Sequence, residues 1–217
     1  MTVIGVLVAD HGCVGSTEHV VDQSVVDACL CDVVRAVSQS GGDWQLLPIE
    51  SSGGSNGTAR DRAKSILEMT ALDADTDRIT VPGETELRSL LDVLHESSAE
   101  ATAAVVNPIT PFIQRRHIDA AAMRLRRNEV VVGPTAGPHW YYFGTQADVS
   151  LESSDTDFET DRAITDMVDP TMSVDLLPYL TEITSEQGRR MLDTHLRIVE
   201  RTGGHAAPYT REHVLTE

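Results

Sequence analysis

Residues 103–145 read AAVVNPITPFIQRRHIDAAAMRLRRNEVVVGPTAGPHWYYFGT. Ala103–Val106 is a short apolar run, the mark of a buried strand. Asn107-Pro108-Ile109-Thr110-Pro111 is a turn, because two prolines deny a helix or a ladder. Arg115 to Arg127 carries an amphipathic helical pattern, and Glu129–Val132 is a second buried strand. Gly133-Pro134 turns the chain into the aromatic run Trp140-Tyr141-Tyr142-Phe143. Strand, helix and strand in this order predict a right-handed crossover between parallel strands. In such sheets ligands bind beyond the carboxyl ends of the strands, so the turns after 106 and 132 are where a site is sought.

The flanking sequence extends the pattern. Thr2–Ala9 is continuously apolar, as in a strand covered on both faces. It runs straight into Asp10 with no basic leader, so it reads as a strand and not as a targeting segment. A helix capped by Ser16 or Thr17 is expected to reach Ser38, with Val21, Val25, Cys29, Val33 and Val37 as its inner stripe. Strands are expected at Gln45–Ile49, Arg78–Val81 and Ser173–Leu177. Helices are expected at Ala59–Met69, Glu84–His95 and Thr160–Met167, and from Thr184 to about Arg201. The fold class is therefore α/β: a doubly wound, mostly parallel, Rossmann-like sheet flanked by helices. One domain is expected over residues 1–202, with 203–217 as a tail.

Composition narrows the partners. Asp and Glu number 34 against 17 basic residues, a net charge of −17. Such a field repels nucleic acid and anionic membranes. Lys64 is the only lysine; every other basic residue is arginine. Dispersed acidity without lysine resembles proteins of salt-in halophiles, so a halophilic cytoplasm is the expected setting. Cys13, Cys29 and Cys31 are odd in number in a chain that is not small, so a disulfide framework is not expected and buried thiols are.

Candidate site residues follow from the strand ends. Asp10 and Gly12 lie just beyond the first strand and Asn107 beyond the central one. His139 and Trp140 open the aromatic run, where a ring can stack on a base or sugar. With His11 and His19, Asp10 and His139 form a mixed nitrogen and oxygen set better suited to a transition metal than to Mg²⁺, although no H-x-x-x-H spacing is present. The Gly/Ser loop 51–58 precedes a helix but matches no phosphate-binding fingerprint. Arg115, Arg116, Arg124 and Arg127 lie on or beside one helix. They can pair with neighbouring acids or bind an anion or an acidic partner, and self-association through that helix stays open. There is no G-x-S-x-G and no Cys/His set, so no catalytic residue is assigned.

Several stretches resemble a family. Pro111 through Ala121 and Leu125, then Glu129-Val130-Val131-Val132-Gly133-Pro134, then Tyr141 and Gly144, are similar to the central block of the GT-A nucleotide-diphospho-sugar transferase superfamily. The match is to its radical-SAM/selenodomain-associated branch, a domain of unknown function. Glu159-Thr160-Asp161-Arg162 and Leu177-Pro178 through Leu192 resemble its later motifs. The resemblance covers most of the chain and is thin before residue 80. It implies a GT-A fold and a nucleotide or nucleotide-sugar ligand. The active members' Mg²⁺ or Mn²⁺ would be held by an aspartate where Ile109 stands, and isoleucine cannot ligate a hard cation. The family's D-G-G is Gly137-Pro138-His139 here. Its basic first loop is replaced around Glu18, with Gly15 retained. The reading is thus a transferase-like protein with altered or lost metal-dependent catalysis that retains nucleotide or sugar-phosphate binding. The alternatives are an active glycosyl- or nucleotidyltransferase with displaced ligands, and a non-enzymatic interaction protein.

Overall fold

A computed structural model describes residues 2–10, 22–50, 57–72, 78–82, 86–98, 101–152, 161–184 and 186–215. The strands are β1 (Thr2–Ala9), β2 (Trp44–Ile49), β3 (Thr102–Val106), β4 (Val130–Pro134), β5 (Trp140–Gln146) and β6 (Val174–Leu176). They form one sheet in the order β2-β1-β3-β5-β4-β6. Pairing is parallel throughout except at β5, which runs antiparallel to both β3 and β4. The expected doubly wound, mostly parallel sheet is therefore observed. The inverted β5 follows from the short turn after β4, since a few residues can only reverse the chain.

Helices α1 (Gln23–Ser38), α2 (Thr58–Met69), α3 (Leu87–Ser97), α4 (Arg115–Leu125), α5 (Asp161–Met167), α6 (Glu186–Arg201) and α7 (Pro208–Leu215) surround the sheet. One apolar cluster joins α1, α2 and α4 to one face; a second joins α3 and α5 to the other. Both faces are thus dry, which is why Val3, Val6, Leu7, Val105 and Val106 are all fully buried. A third cluster packs Ile109, Ile183, Leu192 and Leu196 against Val26 and Cys29 of α1. No helix among the described residues is long and apolar enough to cross a membrane.

Several local expectations change. Helix α1 starts at Gln23 with Asp22 as its cap, the carboxylate accepting from the Ser24 amide at 3.2 Å; Ser16, Thr17 and Val21 lie outside the described residues. Arg78–Val81 is not a strand. It touches β2 through one parallel bridge, Leu46 to Ile79. Side chains hold the segment there: Arg78 lies 4.6 Å over the Trp44 ring, and Thr80 donates to Gln45 at 2.6 Å. Residues 208–215, expected as part of a tail, form α7, which packs on α1. This second covering explains why α1 buries Asp32 as well as its valine stripe. Cys29 and Cys31 are buried free thiols, and burial pushes the Cys31 thiol up to about 12. Cys13 lies outside the described residues.

Candidate functional site

Strand order fixes where to look. From β1 the chain crosses through α1 to β2 on one side, then through α3 to β3 on the other. The helices leave on opposite faces, so a crevice opens between the carboxyl ends of β1 and β3. Asp10 ends β1 and Asn107 ends β3, so two sequence candidates flank this crevice. Gly12 and Gly15, with His11 and His19, lie outside the described residues.

Asn107 is fully buried. Its backbone N–H donates to the Tyr141 carbonyl at 3.0 Å, tying the end of β3 to the start of β5. Neither its Nδ2 nor its Oδ1 has a hydrogen-bond partner among the described residues. A buried carboxamide left unpaired costs about 1–3 kcal/mol. The next residues turn away from the crevice. Cys29 donates to the Pro108 carbonyl at 3.2 Å, and Ile109 enters the apolar cluster beneath α6.

Asp10 is 9% exposed, and its amide extends the β1–β2 ladder to the Ile49 carbonyl at 3.2 Å. Val6 pairs with Val106, so Asn107 stands level with Leu7. Asp10 is therefore three residues further along, roughly 10 Å in the strand direction at about 3.3 Å per residue. Arg62, from α2, supplies a cation that no sequence spacing marks. Its Nη1 donates to the Ala9 carbonyl at 2.7 Å, and its Nη2 is 2.7 Å from Asp27. Glu50, beyond β2, accepts from the Gly57 and Ala59 amides at 2.9 and 3.1 Å. This carboxylate occupies the start of α2, the place a phosphate cradle would need; residues 51–56 lie outside the described set.

The turn from β4 to β5 builds a second constellation. His139 Nδ1 is 3.0 Å from Glu182 Oε2, and Thr135 donates to the same oxygen at 2.6 Å. Glu182 is 3% exposed and comes from the segment between β6 and α6. Burial alone would raise its carboxyl; the bonds from His139 and Thr135 and the His139 charge outweigh this and hold it below the usual range. Gly137 is required here, because a Cβ would overlap the Glu182 carboxylate. No local pattern marks Glu182, which lies 43 residues beyond His139.

Thr135, His139 and Trp140 line a cavity of about 540 Å³ with Ile164, Val168 and Tyr179. Trp140 itself is 1% exposed and meets Phe143 edge-on at 6.2 Å. Its ring therefore belongs to the core more than to a ligand surface. All four rings of the aromatic run are buried, Tyr141 and Tyr142 on one face and Trp140 and Phe143 on the other. A register shift at Gly133/Pro134 breaks strict alternation.

The described residues contain no group of three or more His, Cys, Asp or Glu able to hold a metal. His139 is engaged with Glu182. The arginines of α4 divide. Arg115 pairs with Asp119 at 3.1 Å and Arg124 with Asp175 at 3.1 Å. Arg116 and Arg127 are exposed.

No family model matches the sequence, and no curated protein matches it. Solved structures do share the fold. A Desulfovibrio desulfuricans G20 protein described as a nucleotide-diphospho-sugar transferase superposes with a TM-score of 0.67 at 10% identity, over 97% of this chain and 94% of its own. The 4-diphosphocytidyl-2C-methyl-D-erythritol synthase of Anaerococcus prevotii gives 0.52 at 13% identity, over 89% and 98%. CMP:2-keto-3-deoxy-manno-octonic acid synthetase, solved with CTP, gives 0.53 at 10%, over 90% and 98%. At these identities the likeness is one of fold: the mixed sheet is that of nucleotidyl- and sugar-transferase-like proteins.

Proposed function

We propose that this chain binds a nucleotide or nucleotide-sugar in the crevice between β1 and β3, with the metal-dependent step that the family resemblance implies altered or lost. The observation that carries the reading is Asn107: a fully buried carboxamide, at the topological switch point, with both polar atoms unpaired among the described residues. An amide can donate to and accept from a base or ribose edge, which would recover the free energy that burial costs. Asp10, roughly 10 Å further along the strands, suits the other end of an extended ligand. Ile109, packed in an apolar cluster where the family resemblance expects aspartate, supports altered catalysis.

The test is a thermal-shift screen of nucleoside triphosphates, diphosphates and nucleotide-sugars in molar KCl, with and without Mn²⁺. A ligand that binds only the folded state at 100 times its Kd adds about 2.7 kcal/mol. The wild type should shift with at least one nucleotide without metal, and Asn107→Leu should lose the shift while folding. A shift that needs Mn²⁺ would favour an active transferase with displaced ligands. No shift with any compound would refute nucleotide binding and leave an interaction role.

A further inference from the structure

A cavity of about 670 Å³ opens where α1, α4 and α7 meet; Pro111 and Ile113, which follow the turn after β3, line one side of it, and neither Asp10 nor Asn107 does. Helix α1 returns from the carboxyl edge of the sheet toward the amino edge, and the cavity lies along its final turns. Four arginines line it: Arg35 from α1, Arg115 and Arg116 from α4, and Arg211 from α7, with His205 beside them.

This concentration runs against the composition. With twice as many acids as bases, an arginine here should find a carboxylate. Several elsewhere do: Arg62 with Asp27, Arg88 with Asp92, Arg124 with Asp175 and Arg197 with Asp193. In the cavity, among the described residues, only Arg115 has such a partner, Asp119. Arg211 gives one N–H to the Gly204 carbonyl. The side chains of Arg35 and Arg116 make no hydrogen bond or ion pair with any described residue; Arg35 acts on the Asp32 carboxyl through its charge alone. The remaining acid of the lining, Asp32, directs both oxygens at the start of α7, accepting from the Tyr209 and Thr210 amides and the Thr210 hydroxyl.

We propose that this cavity is a binding site for a small phosphate-bearing anion, separate from the nucleotide crevice. Guanidinium groups match phosphate oxygens two at a time, and several from three helices can converge on one multivalent anion. The volume falls in the range of small-molecule pockets. The surrounding negative field favours a ligand held by close contacts over one captured at long range.

Isothermal titration with inorganic pyrophosphate at fixed KCl concentration tests this, using wild type, Arg35→Gln/Arg116→Gln and Asn107→Leu. Arg35 and Arg116 are exposed, so the double variant should fold; circular dichroism checks that it does. Wild type should bind pyrophosphate, and the double variant should bind at least tenfold more weakly. Glucose 1-phosphate in a parallel titration separates a phosphomonoester from a pyrophosphate preference. Absence of binding by both compounds, or affinity unchanged in the double variant, would overturn the proposal. A loss confined to Asn107→Leu would also overturn it, by placing the anion in the crevice.

Discussion

Replacing Asp32 with asparagine should change how stability depends on pH, by an amount the structure sets. Asp32 is 5% exposed between α1 and α7. Burial pushes its carboxyl up from 3.8 to about 6, against the opposing pull of the Thr210 and Tyr209 hydrogen bonds and of Arg35. The folded protein therefore holds this proton more tightly than the unfolded chain does. The proton's contribution is fully present below 3.8 and is lost as pH rises through about 6. Integrating the two titrations, it amounts to about 2 kcal/mol at pH 4.5 and close to zero at pH 7.5. The carboxamide of the Asp32→Asn variant cannot titrate, and every other carboxylate is common to both proteins. The difference in unfolding free energy, variant minus wild type, should thus rise by about 2 kcal/mol from pH 4.5 to 7.5. Urea unfolding followed by circular dichroism at four pH values, in one buffer salt, measures it. A difference independent of pH, or one that falls with pH, would refute this account of the buried carboxyl.

Three further outcomes follow from local packing. Gly133→Ala places a Cβ 2.6 Å from the Tyr141 ring and 2.9 Å from Tyr142 Cβ, both fully buried, and should cost about 1–3 kcal/mol in denaturant unfolding. Leu94→Ala empties a fully buried position beneath the sheet and should cost about 2–5 kcal/mol by the same measurement. Glu182→Gln should cost about 1–2 kcal/mol at pH 7 by weakening the bonds from His139 and Thr135. Because the Glu182 carboxyl is held low, its stabilisation is present above the ordinary carboxylate range and lost as acid protonates it. The gap between wild type and Glu182→Gln should therefore narrow below about pH 4.5.

The sheet is legible in the sequence because its strands are apolar without interruption: β1, β3 and β4 can only be buried on both faces. The inversion of β5 is not, since an aromatic strand reads the same in either direction. Helix α7 escapes a pattern search because Pro208–Leu215 has no apolar period of its own; its start is satisfied by Asp32, a residue such a search places in solvent. At the site, Asp10 and Asn107 can be picked from strand-end position alone. Glu182 and Arg62 cannot, because each reaches its partners across the tertiary fold. Ile109 reads in the sequence as a lost ligand; the structure adds that its side chain fills an apolar cluster, so the turn after β3 serves packing as much as chemistry.

The bond between Asp32 and α7 spans 177 residues. At about 5–20 residues per second, synthesis leaves α1 finished for about 10–35 s before α7 is made. Throughout that interval α7 cannot yet cover the outer flank of α1 or bond Asp32. Helix α7 then arrives as a clasp, and only its docking completes the burial of Asp32 and assembles the arginine cavity. A ligand in that cavity would thus report that the chain has been made through to α7 and folded.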